Sequence, residues 1–183
     1  ADTRLSLLLG AWRNSAEREA QSYLRDAAGL PVYSGPVLID GMRYTVSPSA
    51  LSLQQADLRH AMQGLSLRRR AGGRWDYALD ASRYDYARDE VRSPTVALPM
   101  ARDGGAGRIA DGAGTGWTTA SASATWRPNP RDTLEFGVQD DRYRLCTEVS
   151  STSDWQHGGA ESRFSAFAGR TELRSAFVQH SRH

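Results

Sequence analysis

Three segments of this chain alternate between apolar and polar residues, and this two-residue period constrains the fold more than any other feature. They are residues 74–86, 117–127 and 133–145. In 117–127, for example, alanines and Trp126 alternate with threonines and serines. Because successive side chains of a β-strand point to opposite faces, each segment predicts a strand with one apolar and one polar face.

The connections between strands are alternately short and long. Further strands are expected at 3–13, 57–69, 162–168 and 171–178. Short turns are predicted at about 70–73, 128–131 and 169–170, and long loops at about 14–56, 88–116 and 149–160. This asymmetry is typical of an up-and-down barrel in an outer membrane. We therefore predict an all-β fold, an antiparallel up-and-down meander of about seven strands from a larger transmembrane β-barrel.

Smaller features refine this prediction. The loop at 14–56 has room for its own hairpin, and residues 16–26 could form a short helix. A change of phase near Gly64 suggests a β-bulge. Seven is an odd number of strands, so residues 1–183 are expected to be an excerpt of a barrel that forms an open sheet by itself.

Tryptophans lie close to the predicted strand ends. Trp75 and Trp126 fall beside short turns, and Trp12 and Trp117 fall beside long loops. Aromatic belts at the two interfaces of a membrane would produce this placement, although aromatic residues are also common in strands generally.

Composition excludes several classes of function. All 23 basic residues are arginine, so chemistry that needs a lysine base, Schiff base or phosphate-loop lysine is absent. The net charge of +2 is too small to indicate a nucleic-acid partner. Cys146 is the only cysteine, so neither an intramolecular disulfide nor a thiolate zinc site is expected.

No pattern of polar residues indicates catalysis or a cofactor. The four histidines are His60, His157, His180 and His183, and only the last two have a spacing that suits a metal. Two acidic groups, Asp140-Asp141 and Asp85 with Asp89, are better explained by pairing with arginine on a polar face than by acid–base or Ca²⁺ chemistry.

Two further groups of residues are candidates for binding a ligand. The glycine-rich stretches 104–107 and 112–116 lack the strand, helix and lysine of a nucleotide loop and predict surface loops. Loop aromatics could stack on a ligand or pack against their own loops; they are Tyr33, Tyr44, Tyr143 and Trp155. No ligand-binding residue is assigned.

Several short runs resemble the barrel of TonB-dependent outer-membrane receptors. They occupy positions 23–26, 29–35, 75–77, 82–86, 114–117, 141–145 and 154–155. The resemblance covers nearly the whole chain through the order and spacing of these runs. It departs from the family in three features that residues 1–183 do not show: a plug domain, a segment that contacts TonB, and a closing strand with a terminal aromatic residue.

The resemblance implies a location and a set of partners. The expected location is the outer membrane of a Gram-negative bacterium, with contacts to membrane lipid, to the TonB complex through a missing N-terminal segment, and to an extracellular small molecule. The implied function is uptake of a scarce nutrient, such as a ferric siderophore, without enzymatic activity.

Two alternatives remain open from the residues alone. A soluble all-β carbohydrate-binding module would bury Leu134, Phe136 and Val138 in a two-layer core. An outer-membrane enzyme would depend on His60 or Asp85.

Overall fold

The computed structural model, described for residues 2–70 and 72–182, is all-β as predicted. Nine strands and one 3₁₀ turn are found in these residues: β1 Asp2–Arg18, β2 Gly35–Ile39, β3 Met42–Val46, β4 Gln54–Arg70, β5 Trp75–Pro94, the 3₁₀ turn Met100–Asp103, β6 Gly107–Asp111, β7 Gly116–Asn129, β8 Asp132–Thr152 and β9 Ser162–Arg182. No helix among them is long and apolar enough to cross a membrane.

Seven of these strands form one antiparallel sheet in a meander-like order. Its sequence of neighbours is β1, β4, β5, β6 with β7, β8 and β9. Strands β6 and β7 both pair with the same edge of β5, one after the other. Glu90 of β5 pairs with Asp111 of β6, and Asp85 of β5 pairs with Gly116 of β7, so the two strands occupy one position in the sheet. Apart from the β2–β3 hairpin, which lies outside this sheet, each strand therefore lies beside, or in the same position as, the strand that follows it in the chain.

The connections lie at opposite ends of the sheet according to their length. Loop L1 (19–53, which contains the β2–β3 hairpin), loop L2 (95–106) and loop L3 (153–161) are at one end. The connections β4–β5 and β7–β8 are at the other. The strands extend further into the loop end than predicted: β1 reaches Arg18, β5 reaches Pro94 and β8 reaches Thr152. Their polar ends stay paired because charges match across strands, as where Arg88 lies 2.9 Å from Asp57.

The predicted turn at 169–170 is wrong. Gly169 pairs with Leu145 and Arg170 with Arg144, so β9 continues unbroken beside β8. The two-residue period therefore runs without interruption from Ser165 to Arg182, and Phe164 is an extra residue at a register shift. This period places Leu173 and Phe177 on the polar face of the sheet.

Two local predictions are also wrong. Residues 16–18 belong to β1 and 19–26 contain no helix. Gly64 pairs regularly with Leu8 and Ser82, whereas the register shift between β4 and β5 lies at Arg59/His60. A Cβ at Gly64 would meet the Leu8 side chain at an ordinary contact distance of 3.4 Å.

The sheet has one apolar and one polar face across all its positions. One register row on the apolar face consists of Leu5, Leu67, Leu79, Ala122, Val138 and Ala176. The next row, on the opposite face, consists of Ser6, Ser66, Asp80, Ser121, Gln139 and Ser175. Antiparallel sheets show this division when their two faces meet different surroundings.

The apolar band crosses the strands obliquely. On β8 the band is centred on Phe136, whose register partners lead across the sheet to Thr3 of β1. On β1, however, the band is centred on Leu7, four residues further along. Four steps separate the two strands, so the band shifts by one residue per strand. With a rise of about 3.3 Å and a spacing of about 4.8 Å, this shift corresponds to strands tilted by roughly 35° from the perpendicular to the band.

The tryptophans divide between the two faces. Trp75 and Trp126 are opposite each other at the short-turn end of the apolar face and stack at 5.6 Å. Trp12 and Trp117 lie on the polar face, so their predicted membership of a belt at the loop end is wrong. Both residues instead contribute to the candidate binding face.

Candidate ligand-binding face

Aromatic side chains cluster on the polar face between the row of serines and the long loops. Two adjacent register rows contribute them, and the cluster consists of Trp12, His60, Tyr84, Tyr86 and Trp117. Trp12, His60 and Tyr86 are register partners on β1, β4 and β5. The ladder of strands therefore holds five rings side by side on one surface.

His60 is at the centre of this aromatic cluster. Its ring stacks on Tyr86 with centroids 3.9 Å apart and planes 9° apart, and the Trp12 ring is 4.9 Å away. Its Nδ1 is 3.0 Å from the Tyr84 hydroxyl. The side chain is only 9% exposed, so its neighbours fix its orientation.

A β-bulge brings a carboxylate to this histidine. Arg59 pairs with Arg88 but His60 pairs with Tyr86, which leaves Ala87 as an extra residue in β5. The extra residue reverses the alternation, so Asp89 opposes Leu58 and lies on the polar face. Asp89 Oδ2 is 3.3 Å from His60 Nε2. Gly112 leaves room for it, since a Cβ there would be 3.2 Å from the Asp89 carboxyl carbon.

The edges of the cluster offer flat apolar surfaces. The Trp117 ring stacks on Tyr84 at 4.5 Å and is 37% exposed, and Trp12 is 48% exposed. Tyr143 continues the row beside Trp117. The arrangement can therefore stack planar groups on exposed rings and offer the hydroxyl and imidazole as hydrogen-bonding groups.

The three long loops pack together at the end of the sheet. Their small core contains the most buried apolar side chains of L1, L2 and L3: Tyr33, Leu53, Leu98, Ala101 and Trp155. Trp155 is 3% exposed and donates its Nε1–H to the Ala101 carbonyl at 2.8 Å. Arg102 donates to the Tyr33 hydroxyl at 3.3 Å. We call this assembly the loop cap.

The loop cap decides the roles of the predicted loop aromatics. Tyr33 and Trp155 pack inside it and are not free to stack on a ligand, whereas Tyr44 and Tyr143 are each 46% exposed. The glycine stretch at 104–107 also serves packing: a Cβ on Gly107 would lie 2.3 Å from the Trp155 Cβ. The stretch at 112–116 forms the break between β6 and β7.

The other predicted candidates are not brought together. Asp85 lies on the apolar face with Arg83, so it does not accompany His60. Asp140 and Asp141 point to opposite faces. His157 is exposed beside Asp154, His180 pairs with Asp132, and His183 lies outside the described residues. Within residues 2–70 and 72–182 no group of three or more His, Cys, Asp or Glu could hold a metal ion.

Loop L3 should loosen at acidic pH. Hydrogen bonds from the hydroxyl and the backbone N–H of Ser153 hold the pKa of Glu161 below its ordinary value of 4.5. A lowered pKa in the folded state stabilises the loop above the ordinary value, and this contribution is lost as pH falls through the lowered pKa. We expect exchange of the Ser153 amide, corrected for intrinsic rate, to accelerate as the pH falls below 4.5.

A matched variant isolates this effect. Glu161→Gln should remove the pH step at Ser153 while leaving exchange of the Leu79 amide in the sheet unchanged. A step that persists in the variant would assign the transition to another group.

Comparison with protein-family models, curated proteins and solved structures found no match to this chain.

Proposed function

We propose that this chain forms part of the wall of a transmembrane β-barrel in the outer membrane of a Gram-negative bacterium. The oblique apolar band is the observation that carries the proposal. A barrel strand tilts by about 35–45° to the membrane normal, so a band parallel to the membrane must shift between neighbouring strands. The shift of one residue per strand agrees with that tilt.

Exposure of the band supports a lipid environment. Leu5, Leu7 and Leu9 are 66–70% exposed on the apolar face, and Val138 is 58% exposed. Among the described residues no second layer of structure covers these side chains. In water such a surface would be an association hazard, whereas in a bilayer it is solvated by lipid.

Within such a barrel, the chain suits a receptor for a small molecule. The aromatic cluster lies on the face that would line the lumen, below a folded loop cap on the side where long loops are extracellular. We infer a TonB-dependent receptor for a scarce nutrient, with a ferric siderophore as the favoured ligand class. Exposed stacked rings would suit the aromatic groups of a catecholate.

Membrane partition tests the first part of the proposal. The open reading frame that contains this chain should give a product in the outer-membrane fraction whose gel mobility shifts on boiling. A soluble product without a heat shift would refute the barrel. It would favour the carbohydrate-binding module, for which the exposed Trp117 and Tyr84 stack would serve as a sugar platform.

Ligand binding tests the second part. The iron(III) complex of 2,3-dihydroxybenzoate should quench tryptophan fluorescence, and Trp117→Ala should weaken its binding about tenfold through lost stacking. Trp126→Ala is the matched control, because it removes a tryptophan from the same strand but from the apolar face. Equal losses in both variants would argue against the aromatic cluster as the site.

A further inference from the structure

We propose that the loop-side rim of the apolar face binds a membrane lipid with a phosphorylated headgroup. The inference rests on the proposed function, because it requires the apolar band to lie in a bilayer. It concerns the outside of the sheet and is independent of the ligand on the polar face.

On β5, β8 and β9, charged residues lie directly on the loop side of the apolar band. We call this set the cationic rim: Arg83, Asp85, Asp140, Arg142, Arg144, Arg170, Glu172 and Arg174. It contains five arginines and three acids. Its ion pairs are exposed, as for Arg83 with Asp85 and Arg142 with Asp140, and exposed pairs hold their partners weakly.

Two arginines of the rim oppose each other without a shared carboxylate. Arg144 and Arg170 are direct register partners on β8 and β9. Arg170 contacts Glu172, and no acidic partner of Arg144 is found among the described residues. Like charges directly opposite each other on a sheet are destabilising, so this pair favours an anion between its guanidinium groups.

A second arginine pair on the same face shows how such a pair is stabilised. Arg59 and Arg88 are also register partners, and Asp57 lies between them at 3.3 Å and 2.9 Å. A phosphate between Arg144 and Arg170 would balance their charges, as Asp57 does between Arg59 and Arg88. Arginine suits this role because its planar fork can bind phosphate through two hydrogen bonds.

The rim continues into an apolar groove. A cavity of about 610 Å³ is lined by Arg83, Arg142, Arg144 and Arg170 among others. A second cavity, of about 700 Å³, is lined by Leu79, Ala120, Ala122 and Val138, with Asp140 and Arg174 at its edge. The short alanines of β7 form the floor between larger neighbours.

The combination fits a lipid better than a free anion. Acyl chains would lie along the alanine groove within the bilayer, while the phosphate reaches the arginines at the interface. Arg174 joins the two regions, because its Nε is 3.0 Å from Asp140, which also pairs with Arg142.

Lipid binding by the purified product of the open reading frame that contains this chain, in detergent micelles, tests the proposal, with bound lipids counted by native mass spectrometry. Dimyristoyl phosphatidic acid should bind at least about tenfold more tightly than dimyristoyl phosphatidylcholine, and the double variant R144Q/R170Q should remove about that tenfold preference. The control R74Q/R131Q removes two positive charges at the short-turn end and should keep it. Inorganic phosphate in excess should compete only weakly.

Each contrary result overturns a defined claim. Equal binding of both lipids, or equal losses in the two double variants, would refute the lipid site. Full displacement by inorganic phosphate would show that an anion alone occupies the rim. Heat-shifted mobility of the same sample reports on the barrel separately, so a barrel that binds both lipids equally would refute only this inference.

Discussion

Replacing Ala122 by arginine should destabilise the folded chain in phosphatidylcholine vesicles by about 2–4 kcal/mol. Ala122 lies on the apolar face of β7 between Leu79 and Val138. In a bilayer the new guanidinium would be placed in hydrocarbon and would have to be desolvated or reach for the interface. Denaturant unfolding followed by tryptophan fluorescence measures the change.

The neighbouring residue supplies a matched control for this prediction. Ser121→Arg places the same side chain one position away on the polar face, where its register partners are Asp80 and Gln139. We expect a change below about 1 kcal/mol there, because the charge stays on the polar face of the sheet. Equal effects at the two positions would contradict a membrane-facing apolar band and would favour a soluble sheet.

Trp155→Ala should unfold the loop cap, at a cost of about 3–5 kcal/mol. Trp155 is 3% exposed among Tyr33, Leu98 and Ala101, which come from the other two long loops. Truncation would therefore remove the side chain that joins all three loops. Proteolysis and amide exchange should increase in L1, L2 and L3 together.

Two further variants separate the causes. Trp155→Phe keeps most of the packing but removes the hydrogen bond to the Ala101 carbonyl, so its effect should be about 1–3 kcal/mol. Tyr44→Ala removes an exposed aromatic residue from the β2–β3 hairpin and should leave the cap intact. Increased exchange in L3 alone after Trp155→Ala would show that the loops do not share a core.

The two-residue alternation predicted strands correctly where one face consists of a single kind of residue. The serines and alanines of 117–127 alternate without interruption, and β7 is found there. The turn at 169–170 was wrong because Gly169 and Arg170 have the composition of a turn, while their pairing with Leu145 and Arg144 depends on a neighbouring strand. Backbone pairing with β8 outweighs the local preference of two residues.

The candidate site was less predictable than the strands. Its geometry depends on Ala87, an alanine whose residue type does not indicate a bulge but whose insertion moves Asp89 to the face of His60. The aromatic cluster also joins residues of four strands, from Trp12 to Trp117, and only the register reveals that they share a surface. A break in alternation after Tyr86 is the one feature that could have suggested the bulge.

The shared core of the loops affects how a solute reaches the polar face. Because Tyr33, Leu98 and Trp155 lie on three different loops, displacing one loop removes contacts from the other two. The loops therefore form one cooperative unit, with a single opening free energy rather than three independent ones. A solute too large to pass between them would have to wait for a concerted opening, so its entry rate would follow the population of that state and not the mobility of any one loop.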